Sequence, residues 1–594
     1  MRAARQPADA ADLGLLGLGG MVAFAGVLWA AGALSSWLSG HRVPSRRPLA
    51  GMLALGHWRD PSAAWGGPVG SSALYWAVTA VVVVAVAAAG WGVVSVWRRS
   101  SRDRRVAAGR PESREGMASR REVSRAAGSK ALIGRSSLLR GSLPSARPND
   151  VGYRLGASRG VDCWVSVEDS ILVLGPPRSG KGLHEVIPMI LDAPGAVVTT
   201  STRPDNLAVS LEARSTRGPV MVFDPQRLAG APAGLGLRWS LTRGCEHAQT
   251  AMIRAEALVV DAGRSGVENA GFWRTQALSA VRCLLHAAAL DGRSALDLYR
   301  WSHTSGAAKE AVAVLTSAAG AIPGWDRALD AIISADPRTR DSTWAMVANA
   351  FAPLADPAVL EAVNPPAGSE FDPLAFLAMS GTVYLLGTAS GATATAPLVA
   401  ALIEDLVDAA RRLAAQCPGQ RLDPPLALIL DEAANYPLSS LPSLMSEGGG
   451  SGITTVAVVQ SLSQARDRWG REAAGAIWDS AIVKVVLGGS SNADDLADLS
   501  RLIGERQVTE WSETRHGKGG ERSMSSSTRW KPVLEPSELR RMEFGTGLLL
   551  LRSASPILMN LQAWTARPDR AALLRARQGW EQAGHQPPQP NGLA

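Results

Sequence analysis

The fold is decided by the segment Ile171-Leu-Val-Leu-Gly175-Pro-Pro-Arg-Ser-Gly180-Lys181-Gly182. Its apolar start predicts a buried strand, and the glycine-rich turn after it ends in Gly-Lys before a helical segment, Leu183 to Leu191. This is the P-loop pattern G-x-x-x-x-G-K in the strand–turn–helix context that the motif requires. In such a loop, backbone N–H groups and the helix N-terminus surround a polyphosphate, and the lysine reaches its β- and γ-phosphates. The segment therefore predicts an α/β nucleotide-binding fold.

One position of the loop departs from the common pattern. The Ser or Thr that usually ligates Mg²⁺ after the lysine is replaced by Gly182, and Ser179 lies too early in the loop to take over that role. The pattern therefore supports ATP binding more directly than ATP hydrolysis. The predicted nucleotide-binding residues are Gly175, Pro176, Pro177, Arg178, Ser179, Gly180, Lys181 and Gly182.

Two further apolar runs end in polar residues. Leu426–Leu430 precedes Asp431 and Glu432, which is the layout of a Walker B strand. Asp431 is then expected to hold Mg²⁺ and Glu432 to polarise the attacking water. The run 453–459 ends in Gln460, which we interpret as a γ-phosphate sensor; a simple strand-end cap is the alternative. Ligands of α/β sheets bind at the carboxyl ends of the strands, where all these residues would meet.

The N-terminal region predicts a membrane anchor over residues 1–97, with transmembrane helices at about 13–38 and 73–97. Both lie in stretches without charge that exceed the roughly 20 residues needed to span a bilayer. A cleaved signal peptide is the rival interpretation of the first stretch. That stretch is too long for a signal-peptide core, and Asp9 and Asp12 stand where such peptides are basic.

Charge predicts the orientation and the class of partner. Arginines cluster directly after the second span, which places that side, the N-terminus and the globular part in the cytoplasm, anchored in the inner or cell membrane. The net charge of +8 suits nucleic acid or anionic lipid as partner. The four cysteines are scattered without C-x-x-C spacing, which indicates neither a zinc site nor a disulfide framework. The clustered arginines are Arg98, Arg99, Arg102, Arg104 and Arg105.

Composition divides the rest of the chain. We expect a basic linker at 98–150, a first part of the nucleotide-binding domain at 151–240, and an all-α insertion at 241–375. The second part of the nucleotide-binding domain follows at 376–567, with an exposed hairpin or loop at 508–532 and two final edge strands, near 548–551 and 556–559. Residues 568–594 are expected to be a disordered tail.

These features together resemble the type IV coupling proteins, the TraG/TraD family of hexameric ATPases for conjugative DNA transfer. The loop resembles the TraG branch, which also carries Gly after the Lys, and the resemblance covers roughly residues 150–565 and the membrane topology. Other stretches similar to that family are Val198-Thr-Thr-Ser-Thr-Arg-Pro-Asp205, Phe223-Asp-Pro-Gln226, Leu430-Asp-Glu-Ala-Ala434 and Val459-Gln-Ser461.

The resemblance implies a RecA-like P-loop NTPase core with an inserted all-α domain, assembled as a homo-hexamer around a channel. It implies ATP and Mg²⁺ as cofactors. Single-stranded DNA, a relaxase–DNA complex, the proteins of a type IV secretion channel and membrane lipid are the implied partners. Lys181, Asp431, Glu432 and Gln460 would act as phosphate ligand, magnesium holder, water activator and γ-phosphate sensor.

One family feature is absent. Where the family tends to place a Gly-Arg-Lys stretch whose arginine can act in a neighbouring subunit, this chain reads Glu447-Gly-Gly-Gly-Ser-Gly452. The arginines that could substitute are Arg466, Arg468, Arg501 and Arg506.

The leading hypothesis is a membrane-anchored motor that drives single-stranded DNA, or a DNA–protein conjugate, into a secretion channel. One alternative is a double-stranded DNA pump of the FtsK type, although no basic helix-turn-helix signal follows residue 565. Another is a receptor that binds nucleotide without hydrolysing it. Gly182 and the missing arginine favour that receptor, whereas Lys181, Asp431 and Glu432 count against it.

Overall fold

The computed structural model describes residues 10–43, 49–108, 111–230, 234–259, 270–366, 368–387, 395–515 and 522–584. The chain divides into two compact units, Met1–Arg110 and Pro111–Ala594.

The first unit is helical. It consists of α1 (Ala10–Leu38), α2 (Ala50–Leu53), α3 (Pro61–Trp65) and α4 (Ser72–Ala108). Among the described residues, two helical stretches are long and apolar enough to cross a membrane, Met21–Leu38 and Ser72–Gly92. α1 packs against α4. Gly32 permits close packing of the Trp65 ring on α1, since a Cβ at Gly32 would collide with that ring.

The second unit is built on one large mixed sheet and a separate hairpin. Within the described residues, the sheet has eleven strands in the order β2-β1-β13-β12-β9-β3-β8-β7-β4-β6-β5, and β10 pairs with β11 in a separate two-stranded sheet. Strands from β9 to β5 in that order run parallel, and their continuous apolar sequences are typical of strands covered on both faces. The strands are β1 Gly152–Ser158, β2 Val161–Ser166, β3 Ile171–Leu174, β4 Val197–Ser201, β5 Val220–Phe223, β6 Thr382–Leu386, β7 Leu426–Leu430, β8 Ile453–Val459, β9 Val483–Leu487, β10 Glu505–Arg515, β11 Arg522–Pro532, β12 Thr546–Leu551 and β13 Ile557–Leu561.

Helices cover the sheet. Between β5 and β6 in the sequence, the chain also forms a run of helices, α11 to α18. The predicted α/β fold with an inserted helical region is confirmed. The helices are α5 Arg120–Ala127, α6 Ser129–Ile133, α7 Ser136–Leu139, α8 Pro148–Val151, α9 Ile187–Asp192, α10 Asp205–Ser215, α11 Ala248–Leu258, α12 Ala270–Leu290, α13 Ala295–His303, α14 Lys309–Ser317, α15 Trp325–Ile333, α16 Pro337–Phe351, α17 Pro357–Val363, α18 Pro373–Ala378, α19 Ala396–Gln416, α20 Leu441–Glu447, α21 Leu462–Trp469, α22 Arg471–Ser480, α23 Ala493–Ile503, α24 Pro536–Arg540 and α25 Arg570–Gly584.

The expected linker at 98–150 is wrong for most of its length. α4 continues to Ala108, and α5 to α8 fold onto the sheet. Val123, Leu132 and Leu139 are buried there. Basic composition concealed these helices because a few apolar residues at helical spacing suffice to attach a short helix to a core.

The expected disordered tail at 568–594 is also corrected. α25 occupies Arg570–Gly584 and buries Leu573 and Ala576, while residues 585–594 lie outside the described part of the chain. The apolar positions of α25 lie on one face at a spacing of three, which a polar average composition does not reveal.

β12 and β13 are not edge strands. β1 pairs with β13 in antiparallel fashion, and the β1–β2 hairpin extends the sheet beyond them. The pairing joins segments about four hundred residues apart, so no local pattern could show it. The expected exposed segment at 508–532 forms the β10–β11 hairpin.

Candidate functional site

Strand order brings the predicted site residues to one edge of the sheet. β8 lies between β3 and β7, and all three run parallel. The P-loop after β3, Gln460 after β8 and Asp431 after β7 therefore all follow carboxyl ends of neighbouring strands. The Gly175 N–H donates to the Val459 carbonyl at 2.9 Å, which holds the start of the loop beside the strand that leads to Gln460.

The P-loop needs glycine at position 180. Gly180 has φ of 87°, and a Cβ there would lie 2.8 Å from His184 and 2.9 Å from Phe544. Arg178 also adopts positive φ, 64°, which few side chains tolerate. His184 packs edge-on against Phe544, with ring centroids 5.3 Å apart, and burial lowers the pKa of its imidazole. His184 thus supports the loop by packing.

Lys181 and Glu432 form the central contact of the site. Lys181 Nζ lies 3.4 Å from Glu432 Oε1. The second carboxylate oxygen of Glu432 accepts from Asn435 Nδ2 at 2.9 Å and from Thr202 Oγ1 at 3.3 Å. Glu432 has φ of 51°, so the chain turns sharply after β7 and brings this carboxylate towards the loop.

Asp431 carries an oxygen without a partner. Its Oδ1 atom is buried and accepts no hydrogen bond from the residues that the structure describes. Burial raises the pKa of this carboxyl group to about 6. A buried carboxylate oxygen with no donor is costly unless a cation or a proton offsets it, so the residue fits the predicted magnesium ligand. Gly182 stands where the common P-loop pattern has Ser or Thr, so this position offers no hydroxyl ligand for Mg²⁺.

A cavity of about 590 Å³ opens over this edge. Lys181, Asp431 and Glu432 line it together with the glycines of the loop. Trp564, Thr565 and, on α25, Arg577 also line it, and no local sequence pattern predicts their place there. The helical spacing of Leu573 and Ala576 was the available signal for α25, but nothing local indicates that the helix reaches the cavity.

Gln460 directly follows β8, and its backbone N–H donates to Gln464 Oε1 at 3.2 Å. Gln460 is not among the residues that line the cavity as the structure describes it. The position between the P-loop strand and the Walker B strand agrees with a sensor, and the role itself stays a prediction.

The arginine candidates differ in their surroundings. Arg466 Nη1 lies 3.3 Å from Asp495 Oδ1, and the Asp495 side chain is only 5% exposed, so Arg466 neutralises a buried carboxylate between α21 and α23. Arg501 pairs with Asp498 one helical turn before it. In the glycine segment at 448–450, packing requires glycine at position 449, because a Cβ at Gly449 would collide with the Glu168 carbonyl.

Comparisons with known proteins agree with this architecture. Residues 425–544 match a family model described as the TraM recognition site of TraD and TraG. The structure resembles the bacterial conjugative coupling protein TrwBdeltaN70 in its unbound monoclinic form, with a TM-score of 0.51 and 18% identity over 74% of this chain and 93% of that chain. It resembles plasmid coupling protein TrwB in complex with the non-hydrolysable ATP analogue ADPNP, with a TM-score of 0.50 and 19% identity over 70% and 91% of the respective chains. No curated protein matches the sequence.

The structural matches and the family-model match concern different properties of the chain, its fold and the sequence of one segment. At this level of identity, the structural likeness establishes the shared fold, and the family model identifies the segment that contains β7, Asp431, Glu432 and Gln460. Taken together, they show a segment similar to the TraM recognition site of TraD and TraG within a chain that shares the fold of TrwB.

Proposed function

We propose that this protein is a membrane-anchored ATPase that couples ATP hydrolysis to the delivery of single-stranded DNA, or of a relaxase–DNA complex, into a type IV secretion channel. The observation that carries the proposal is the Lys181–Glu432 pair beside the unpartnered oxygen of Asp431. These are the charges that a nucleoside triphosphate with Mg²⁺ requires. The TrwB structures with ADPNP and with the GTP analogue GDPNP, which share this fold, support a nucleotide as the ligand.

The proposed chemistry divides between three residues. Lys181 binds the β- and γ-phosphates, which gives its ammonium group a stronger acceptor than Glu432. Glu432, still oriented by Asn435 and Thr202, is then free to accept a hydrogen bond from the attacking water. Mg²⁺, when bound, neutralises phosphate charge, and Asp431 would hold it.

DNA and membrane contacts complete the proposal. A net charge of +8 favours contact with DNA phosphates, which is largely independent of sequence. The two candidate spans, Met21–Leu38 and Ser72–Gly92, would anchor the protein in the inner or cell membrane with its larger unit in the cytoplasm. We propose a homo-hexamer that encloses the DNA, docked on the proteins of the secretion channel.

Two observations favour a second candidate function. Gly182 removes the hydroxyl that commonly ligates Mg²⁺, and the glycine segment at 448–450 removes the family arginine. Both losses would suit a receptor that binds nucleotide and recruits substrate without turnover.

Steady-state ATP turnover of the full chain in detergent, with and without single-stranded DNA, separates the two functions. We expect turnover that single-stranded DNA stimulates. Glu432→Gln should abolish turnover while nucleotide affinity stays near that of the unmodified protein, and Glu472→Gln, an exposed position on α22, is the matched control. Nucleotide binding without any turnover would favour the receptor. Turnover unchanged by Glu432→Gln would disprove the assigned role of Glu432.

A further inference from the structure

The second unit contains another cavity, of about 330 Å³, which shares no lining residue with the nucleotide cavity. Its walls are α5, α6 with the residues just after it, the end of β2 and the turn after β12. Arg125, Arg135 and Arg552 line it, together with Trp164 and Ser166. Such a cavity is at the small end of the range for specific ligand sites.

The carboxylates that line this cavity already have hydrogen-bond or ion-pair partners within the protein. Asp169 accepts from the Ser166 N–H at 2.8 Å with one oxygen and from Arg552 Nη2 at 2.5 Å with the other. Glu122 Oε1 accepts from the Ser555 N–H at 2.8 Å, which is the main reason that its pKa is lowered. These acids therefore fix the walls of the cavity and leave it with an excess of arginine over acid.

The groups left without a partner are donors. Ser166 is 2% exposed, and its Oγ has no hydrogen-bond partner among the described residues. The same holds for Trp164 Nε1. Arg125 is exposed and has no ion-pair partner in the described part of the chain, whereas Arg135 pairs with Glu168 at 2.9 Å. Buried polar groups in native proteins nearly always have partners, so this combination requires an acceptor.

Backbone geometry supports a built site. Arg552 has φ of 49°, a conformation uncommon for a residue other than glycine. The turn is held by the ion pair with Asp169 and by the Arg552 N–H, which donates to the Ile482 carbonyl at 3.2 Å. The Arg552 guanidinium is thus fixed at the cavity wall.

We propose that this cavity binds an oxyanion, namely the phosphate group of a small ligand or of a lipid headgroup. A phosphate supplies several acceptors at once for the spare donors Ser166, Trp164 and Arg125. Arginine is the side chain best suited to bind it, through its planar fork of N–H groups. The lipid source is a natural one because α5 closely follows, in sequence, the helix α4 that contains a candidate membrane span.

The test uses the full chain and two probes. Glycerol 3-phosphate is titrated against the protein in neutral detergent, with sodium chloride at equal ionic strength as reference. In parallel, the protein is reconstituted into nanodiscs of phosphatidylcholine alone or with phosphatidylglycerol. Thermal unfolding is followed in both arms. We expect stabilisation by glycerol 3-phosphate, by phosphatidylglycerol, or by both, and these outcomes identify a soluble source, a lipid source, or a site open to both.

Substitutions of neutral and of charged residues then test whether the stabilising ligand binds in this cavity. Ser166→Ala should weaken the stabilising ligand by about tenfold, the size expected for a hydrogen bond to a charged group, without lowering the stability of the protein free of ligand. Thr455→Val, which removes another buried unpartnered hydroxyl, should leave ligand affinity unchanged. Arg125→Gln should weaken binding, and Arg121→Gln, exposed on the same helix but outside the cavity, should not. Absence of stabilisation by both probes, or equal stabilisation of the unmodified protein and of Ser166→Ala, would overturn the proposal.

Discussion

Lys181 Nζ lies 3.4 Å from Glu432 Oε1, although 251 residues separate them in the chain. The side chains are only 13% and 23% exposed, so the ammonium and the carboxylate meet in a partly dehydrated place where charge interactions are stronger than in water. In the proposed mechanism, a triphosphate competes for the same lysine. The pair therefore links phosphate binding to the freedom of the carboxylate that is proposed to activate water.

Lys181→Ala is expected to weaken nucleotide binding by about tenfold or more, since it removes a charge-assisted contact with the phosphates. A fluorescent nucleotide titration measures the effect, with Lys309→Ala on the surface of α14 as the control. Equal affinity in both variants would contradict the P-loop role of Lys181.

Glu185→Gln should stabilise the protein increasingly as pH rises. Glu185 is 1% exposed, its carboxylate oxygens have no hydrogen-bond partner among the described residues, and burial raises its pKa to about 8. Because the folded pKa exceeds the unfolded value, its favourable contribution is complete below about pH 4.5 and is lost as pH rises through about 8. The full difference is on the order of 3–5 kcal/mol.

Thermal unfolding from pH 5 to pH 9 measures this difference between Glu185→Gln and the unmodified protein. Glu212→Gln, exposed on α10, serves as control. A difference in melting temperature that does not change with pH would show that Glu185 does not titrate in this range.

Arg577→Ala should lower nucleotide affinity by about tenfold if the guanidinium contacts the bound nucleotide, as its place in the cavity wall suggests. Arg575→Ala provides a matched control, because Arg575 is exposed on the same helix but does not line the cavity. Equal losses in the two variants would indicate a general charge effect instead.

Arg468→Ala tests for an arginine that acts on a neighbouring subunit. Arg466 is engaged with buried Asp495, so Arg468 is the better candidate on α21. Loss of such an arginine typically reduces turnover on the order of 10³-fold. Mixing Arg468→Ala with Lys181→Ala subunits should restore activity, because each lacks a different part of a shared site. Full activity of Arg468→Ala alone would exclude this role.

Membrane orientation is predicted from the arginines after the second candidate span. A topology reporter fused near Ser45 should respond as external and one fused after Arg105 as internal, because dense positive charge stays in the cytoplasm. The opposite result would remove the P-loop from cytosolic ATP.

The sequence determined the parts of this protein that local pattern encodes. Apolar runs ending in Gly175, Asp431 and Gln460 predicted three strands with candidate site residues at their ends, and parallel strands in an α/β sheet present those ends at one edge. The two candidate membrane spans were predicted from length and lack of charge. Local signals suffice in these cases because each depends on a few consecutive residues.

The tertiary structure decided what depends on distant contacts. Only the fold shows that Lys181 pairs with Glu432, that Arg466 is held by Asp495, and that Arg577 on α25 lines the candidate nucleotide cavity. It also turned an expected linker and tail into packed helices. Each outcome depends on burying a few apolar side chains, or on neutralising one charge, against residues far away in sequence, and such partners leave no trace in the neighbouring residues.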